Sequence, residues 1–258
     1  MEWRFLNTGF HPGIFNMEFD EHLVHSLAEG EGVPTIRVYG WSPPAISLGW
    51  NQSEDEIDHE RAAKDGVDIV RRSTGGRAIL HSEELTYSVS MPCNGKNVLG
   101  VYNDISEALV CGLRMLGTVV SLERSQPHFP TLYKSPSSAV CFASSARYEI
   151  QIDGKKLVGS AQRRYSGKHG EEVVLQHGSV LLGPDHKRLV GYLTMKSEEQ
   201  RKILAGEIET KTIDLSSALG REVTFDEIAE RIRAGFEEAW GIALRSPASD
   251  RITSGIPA

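Results

Sequence analysis

Three stretches of this chain carry side chains that could act on a substrate together. The first is Arg71-Arg72-Ser73-Thr74-Gly75-Gly76-Arg77-Ala78-Ile79-Leu80-His81. The adjacent Gly75 and Gly76 let backbone approach a ligand closely or take positive φ, and the arginines around them, Arg72 included, offer charge to an anionic group. An ordinary hairpin with solvent-facing arginines accounts for the same residues. The second stretch, Ser135-Pro136-Ser137-Ser138-Ala139-Val140-Cys141-Phe142, carries a lone thiol. A nucleophilic cysteine needs exposure and a nearby cation or base, because at a pKa of about 8.5 little of it is thiolate at neutral pH. The alternative is a buried cysteine entering a strand. The third stretch sets Lys156 ahead of Gly159, Ser160 and Ala161, whose small side chains leave room for a ligand. Lys156 can balance a thiolate, or it can reach water along its methylene stem. His81 and His177 are either proton donors and acceptors or satisfied structural histidines. No CxxC or HExxH run occurs, and His22 with His25 lacks a third ligand, so no metal is expected.

These residues need elements to hold them. Asn16 caps an expected helix with Phe19, Leu23 and Leu27 on one face, ending at Gly30. Residues 36–39 and 45–48 read as a strand pair broken by Ser42-Pro43-Pro44. Ser53 with Glu56 reads as a capping box opening a second helix that runs to about Lys64. Strands over 67–70 and 85–91 then flank the glycine stretch. A helix after Asn103 turns Ile105, Leu109 and Leu113 to one side and leaves Cys111 as packing filler, while Cys93 is structural or incidental. Asp153-Gly154 between alternating runs is a two-residue hairpin turn, which sets Ile152 opposite Lys155 and Gln151 opposite Lys156. Strand periodicity puts Lys156, Val158 and Ser160 on one face, Leu157 and Ile150 on the other. A strand over 173–182 carries His177. From Asp185 the pattern is helical, and a Thr224/Glu227 capping box opens a helix striped by Ile228, Ile232, Phe236 and Trp240.

With 258 residues, 40% of them hydrophobic, the chain can bury a sizeable core. One domain over 1–245, helical from about 185, with a loose tail over 246–258, is the expected organisation. A net charge of -7 provides no footprint for nucleic acid. No basic start followed by an apolar stretch opens the chain, and every apolar run is interrupted by charge, Pro or Gly, so no membrane association is expected. Three cysteines make a sparse, odd set that fits a reducing, cytoplasmic setting.

Taken in order, Arg71 to Ala78, Gly154 to Gln162 and His177-Gly178-Ser179 resemble the biotin/lipoate A/B protein ligase family from about Asn16 to Trp240. The resemblance implies an α+β fold: a mixed, largely antiparallel sheet flanked by helices, with an acyl tunnel beside the glycine loop and the lysine strand. Arg72, Gly75, Gly76, His81, Gly159, Ser160, Ala161, His177 and Gly178 become the expected acyl-binding set. The stretch ending at Cys141-Phe142 is similar to the LipM-type branch of octanoyl-carrier-protein:protein octanoyltransferases, which implies that Cys141 is the nucleophile and Lys156 its partner. ATP-dependent ligases of the family usually have a third glycine where this chain has Arg77, which turns the expectation toward thioester transfer. The implied donor is the octanoyl-phosphopantetheine thioester of acyl carrier protein, with no other cofactor. The implied acceptor is a lysine on a lipoyl domain, such as glycine cleavage H protein. ATP-dependent lipoate ligation, octanoyl transfer between carriers and a non-catalytic acyl-binding regulator are the alternatives. At about 0.8 kcal/mol per buried methylene, an octanoyl chain gains roughly 5 kcal/mol and two further methylenes add under about 2, so a closed tunnel end must enforce length.

Overall fold

In the computed structural model, residues 2–123 and 149–246 are described. Cys141 and the expected tail from residue 247 lie outside the described residues. Leu85, Tyr87, Val89 and Met91 alternate with Thr86, Ser88 and Ser90, and this period of two builds a central strand, β6 (Glu84–Pro92). Its neighbours are β2 (Thr35–Trp41) and β10 (Glu172–Leu181), both antiparallel to it. The sheet continues outward through β9 (Lys155–Ser166), β8 (Glu149–Ile152) and β7 (Ser121–Glu123) on one side. On the other, β1 (Trp3–His11) and β11 (Leu244–Arg245) pair in parallel, completing eight strands among the described residues. A second sheet is small, with β3 (Ala45–Leu48) between β4 (Asp68–Arg71) and β5 (Ile79–His81).

Two helices cover the apolar face of the large sheet. α3 (Val98–Arg114) starts where the Asn97 side chain accepts from the amide of Gly100, six residues before the start expected after Asn103. Its Ile105, Leu109 and Leu113 are fully buried with Ile228, Ile232 and Phe236 of a C-terminal helix. That helix, Phe225–Trp240, is capped by Thr224, whose hydroxyl accepts from the amide of Glu227. The opposite face carries α1 (Gly13–Ala28), which begins after Pro12 with no side-chain cap, so Asn16 lies inside it. There Asn16 donates to the carbonyls of His11 and Gly40. The small sheet has its own apolar core with the segment Pro184–Tyr192 and the helix Glu198–Lys211.

Some expected elements differ in the structure. β2 and β3 do not pair: the Ser42-Pro43-Pro44 corner sends the chain into the other sheet. Ser53 caps only a short 3-10 turn, Glu54–Glu56, and Asp58 caps the helix proper, α2 (His59–Lys64). The glycine stretch contains a further strand, β5. The Asp153-Gly154 turn forms with positive φ at both residues and with Ile152 opposite Lys155 and Gln151 opposite Lys156. A bulge between Ile150 and Gln151 then pairs Ile150 with Val158, so Ile150 does not follow the simple alternation. Among the described residues no helix is long and apolar enough to cross a membrane.

Candidate functional site

A narrow cleft opens between the two sheets. β9 and β10 supply Gly159, Ser160, Ala161, His177, Gly178 and Ser179. Their antiparallel register sets Gly178 beside Ser160 on one side and Tyr87 on the other. A Cβ at Gly178 would lie 2.4 Å from the carbonyl oxygen of Gly159, so the strands approach closely only with glycine there. β5 and β3 supply Ile79, His81 and Ser47, and α1 contributes Met17.

The glycine stretch is held from within. The buried Arg72 guanidinium donates to the carbonyls of Ser47 at 2.8 Å, Gly75 at 2.9 Å and Arg77 at 2.8 Å. Arg72 therefore lines the cleft but directs these donors to backbone, neither facing solvent nor offering itself simply as an anion site. Gly75 and Gly76 do not line the cleft. Gly76, at φ 101°, instead abuts Gly49, where a Cβ would lie 2.1 Å from the Gly76 oxygen. Arg71 braces the same turn through the carbonyls of Gly49 and Gln52.

Two buried networks back the cleft. In the first, the ring of Trp41 stacks on His81 at 4.0 Å. The Trp41 Nε1 donates to Thr86 Oγ1 at 2.8 Å, and Thr86 Oγ1 donates to Glu84 Oε1 at 2.6 Å. His81 Nδ1 faces the same Glu84 oxygen at 3.3 Å and its Nε2 meets Ser47 Oγ at 2.8 Å. Burial lowers the His81 pKa and outweighs the opposing pull of Glu84, with smaller contributions from Arg72 and His177 in the same direction as burial. The ring is thus neutral at pH 7. A carboxylate only accepts, so the ring proton sits on Nδ1 and Ser47 donates to Nε2. Arg72 in turn donates to Ser47 Oγ at 3.0 Å.

In the second network, His177 Nε2 meets Thr74 Oγ1 of the glycine stretch at 2.6 Å and its Nδ1 lies 3.5 Å from Asp20 Oδ2. Asp20 also accepts from Arg37 at 2.8 Å, Tyr39 at 2.8 Å and Ser88 at 2.7 Å. Burial pushes its carboxyl up, but Arg37, His177 and Ser88 outweigh that and hold it below the usual range. Tyr87, whose pKa burial raises to about 12, accepts from Gln176, and its hydroxyl shares a 2.6 Å hydrogen bond with Ser160 Oγ.

Seven residues expected at an acyl site, Arg72, His81, Gly159, Ser160, Ala161, His177 and Gly178, meet in this one cleft. Lys156 is not part of its wall. It is buried, with Nζ 2.6 Å from Glu149 Oε1, and its carbonyl accepts from the amide of Ile213. Sequence reasoning missed Met17, Tyr39, Trp41, Ser47, Asp20 and Thr86. The hydroxyls of Thr86 and Ser88, at alternate positions along an apolar strand, were the available signal.

The slot, walled by glycine and aromatic side chains, is wedged between a large, mostly antiparallel sheet and a small one. The chain belongs to the lipoyl protein ligase A/B catalytic domain family, whose profile matches residues 12–237. Among curated relatives, the octanoyltransferase LipM of Kyrpidia tusciae is 41% identical, with 94% of this chain and 88% of that protein aligned. Those of Geobacillus kaustophilus and Bacillus subtilis are 39% and 36% identical, with 94% of this chain and 87% of each relative aligned. The fold matches a bipartite lipoate protein ligase of Thermoplasma acidophilum with a TM-score of 0.76 at 23% identity, covering 96% of this chain and 88% of that one. It also matches a lipoate-protein ligase A bound with ATP, at a TM-score of 0.73 and 22% identity, covering 96% of this chain and 90% of that one. The α+β architecture expected from the three sequence blocks is therefore the one found.

Proposed function

We propose that this protein is an acyltransferase that moves octanoyl onto a lysine of a lipoyl-domain protein through a thioester on Cys141. The observation that carries this reading is the likeness, at 36–41% identity over 94% of the chain, to proteins named as octanoyltransferases. The narrow apolar cleft supports it from the side of physics, since a medium acyl chain is the ligand such a slot rewards.

The chemistry balances in two steps. The Cys141 thiolate attacks the carbonyl of octanoyl-phosphopantetheine on acyl carrier protein, and the pantetheine thiolate leaves. One thioester replaces another of similar energy, so neither ATP nor a further cofactor enters. The acceptor amine then attacks the acyl-enzyme, the C–N bond forms as the C–S bond breaks, and the amine releases its proton to solvent while Cys141 regains its thiolate. Lys156, oriented by Glu149, is the proposed cation beside the sulfur. The backbone amide of Gly159, which lines the cleft, is the proposed oxyanion donor. Glycine cleavage H protein is the proposed acceptor.

A donor panel tests this: octanoyl acyl carrier protein, octanoyl H protein, and free octanoate or lipoate with ATP, each with wild type, Cys141→Ala, Cys141→Ser and Lys156→Met. The expected result is a hydroxylamine-labile octanoyl adduct on Cys141 with the first donor only, and loss of turnover in all three variants. Full turnover by Cys141→Ser overturns the thioester. Pyrophosphate release with ATP would instead make the protein a ligase, and activity confined to octanoyl H protein would make it a transferase between carriers. Octanoate binding with no turnover from any donor would make it an acyl-binding protein.

A further inference from the structure

The hairpin that carries Lys156 is irregular, and the irregularity sets the direction of the side chain. Residues opposite each other in an antiparallel pair share a face. Gln151 lies opposite Lys156 and Ile150 opposite Val158, so the bulge leaves Lys156 and Val158 on opposite faces of β9. Val158 joins the core under α3, and Lys156 falls on the face of Gly159 and Ala161, which line the cleft. Glu149 shares a face with Gln151 by the period of two along β8, and from there its carboxylate meets Lys156 Nζ diagonally at 2.6 Å. The backbone is pinned as well. The Lys156 carbonyl accepts from the amide of Ile213 at 3.1 Å, and the neighbouring Thr212 hydroxyl meets His186 Nε2 at 2.8 Å.

Both side chains of the pair are buried, 5% and 3% exposed. A lysine buried without a counter-charge can lose its proton below neutral pH, and a neutral amine does not balance a thiolate. Resting on the acyl-transfer reading above, we infer that Glu149 is a positioning residue of the reaction, whose carboxylate keeps Lys156 protonated and turned to the cleft face. An ammonium carries three donors, so the bond to Oε1 leaves the group able to serve a sulfur anion as well. The other titratable groups around this strand end do not replace Glu149. Burial holds His186 neutral at pH 7, and Asp214 accepts from the amide and hydroxyl of Ser217. Lys155 lies on the opposite face of β9, where it interacts with Glu209.

The test uses the full chain with octanoyl acyl carrier protein and compares wild type, Glu149→Gln and Glu149→Asp. The first variant keeps the size of the side chain and removes its charge; the second keeps the charge on a shorter stem. Single-turnover acylation is expected to slow by about tenfold or more in Glu149→Gln, as the ammonium is lost at pH 7, and by about threefold or less in Glu149→Asp. A role in packing alone would reverse that order, since the isosteric amide would then be the milder change. Heteronuclear NMR of protein labelled at lysine Nζ, with the Lys156 signal assigned by its absence in Lys156→Met, reads the proton directly. An ammonium is expected in wild type and Glu149→Asp at pH 7, and an amine in Glu149→Gln. Glu149→Gln as fast as Glu149→Asp, or an ammonium kept in Glu149→Gln, overturns the inference. So does an amine in wild type, a result that needs no turnover and stands even if neither variant folds. A wild type that moves octanoyl from no donor while its Lys156 is an ammonium counts against the transfer reading instead.

Discussion

Asp20→Ala should be among the most damaging single changes outside the reacting groups. The carboxylate is fully buried and accepts from Arg37, Tyr39, Ser88 and, at longer range, His177. Removing it leaves the Arg37 cation in a site where its side chain has no exposure, and breaking such a pair costs about 3–5 kcal/mol. At roughly 2–4 °C per kcal/mol for a chain of this size, the melting temperature falls by about 6–20 °C. Thermal and urea unfolding followed by circular dichroism read this directly. The double variant Asp20→Ala/Arg37→Met should recover much of the loss, because an apolar replacement removes the stranded charge. The pH dependence has a definite sign. The folded pKa of Asp20 is depressed, so its contribution is present above the ordinary carboxylate range and disappears as pH falls through the lower folded value. Function should suffer as well, since His177 loses its Nδ1 partner and with it the fixed bond to Thr74. A single variant within about 1 kcal/mol of wild type, or a double variant no better than the single, refutes the reasoning.

Three further outcomes follow from other sites. Gly49→Ala forces the glycine turn away by setting a methyl 2.1 Å from the Gly76 oxygen; overpacking costs about 1–3 kcal/mol, and initial rates with saturating donor should fall by about tenfold or more. His186, buried and bonded to Thr212, has its pKa lowered by burial from 6.5 to about 4, so the unfolded chain binds the extra proton between those values. Stability should therefore rise by about 3 kcal/mol from pH 4 to 6.5, and chemical denaturation of His186→Gln across that window should show a flatter profile. Thr224→Ala removes the cap of the C-terminal helix and should cost about 1 kcal/mol, measured by the urea midpoint.

Local signals located the parts of the site that are local. The Asp153-Gly154 turn and the pairing of Gln151 with Lys156 follow from two residues in sequence, and the Thr224 cap follows from four. The glycine stretch announced itself by composition. What escaped depends on partners distant in sequence: Trp41 and Thr86 are 45 residues apart, and Thr74 meets His177 across 103. The corner at Ser42 to Pro44 looks like a hairpin until the second sheet is known, because a turn residue does not specify which sheet its exit strand joins.

The alternation in β6 shows why a correctly assigned strand can still conceal a site. Leu85, Tyr87, Val89 and Met91 face the core under α3 and the C-terminal helix, which leaves Thr86, Ser88 and Ser90 on what a period-two pattern treats as the solvent side. Yet all three are buried, because α1 lies over that face and brings Asp20 onto Ser88 and Met17 into the cleft. Beneath that helix Thr86 is satisfied by Trp41 and Glu84 and Ser88 by Asp20, whereas the Ser90 hydroxyl has no hydrogen-bond partner among the described residues. The polar side of the strand is therefore the backing of the cleft between the two sheets. Under the helix the hydrogen-bonding demand of Thr86 and Ser88 is met by the side chains of Trp41, Glu84 and Asp20, and those bonds tie the wall of the cleft to the residues behind it.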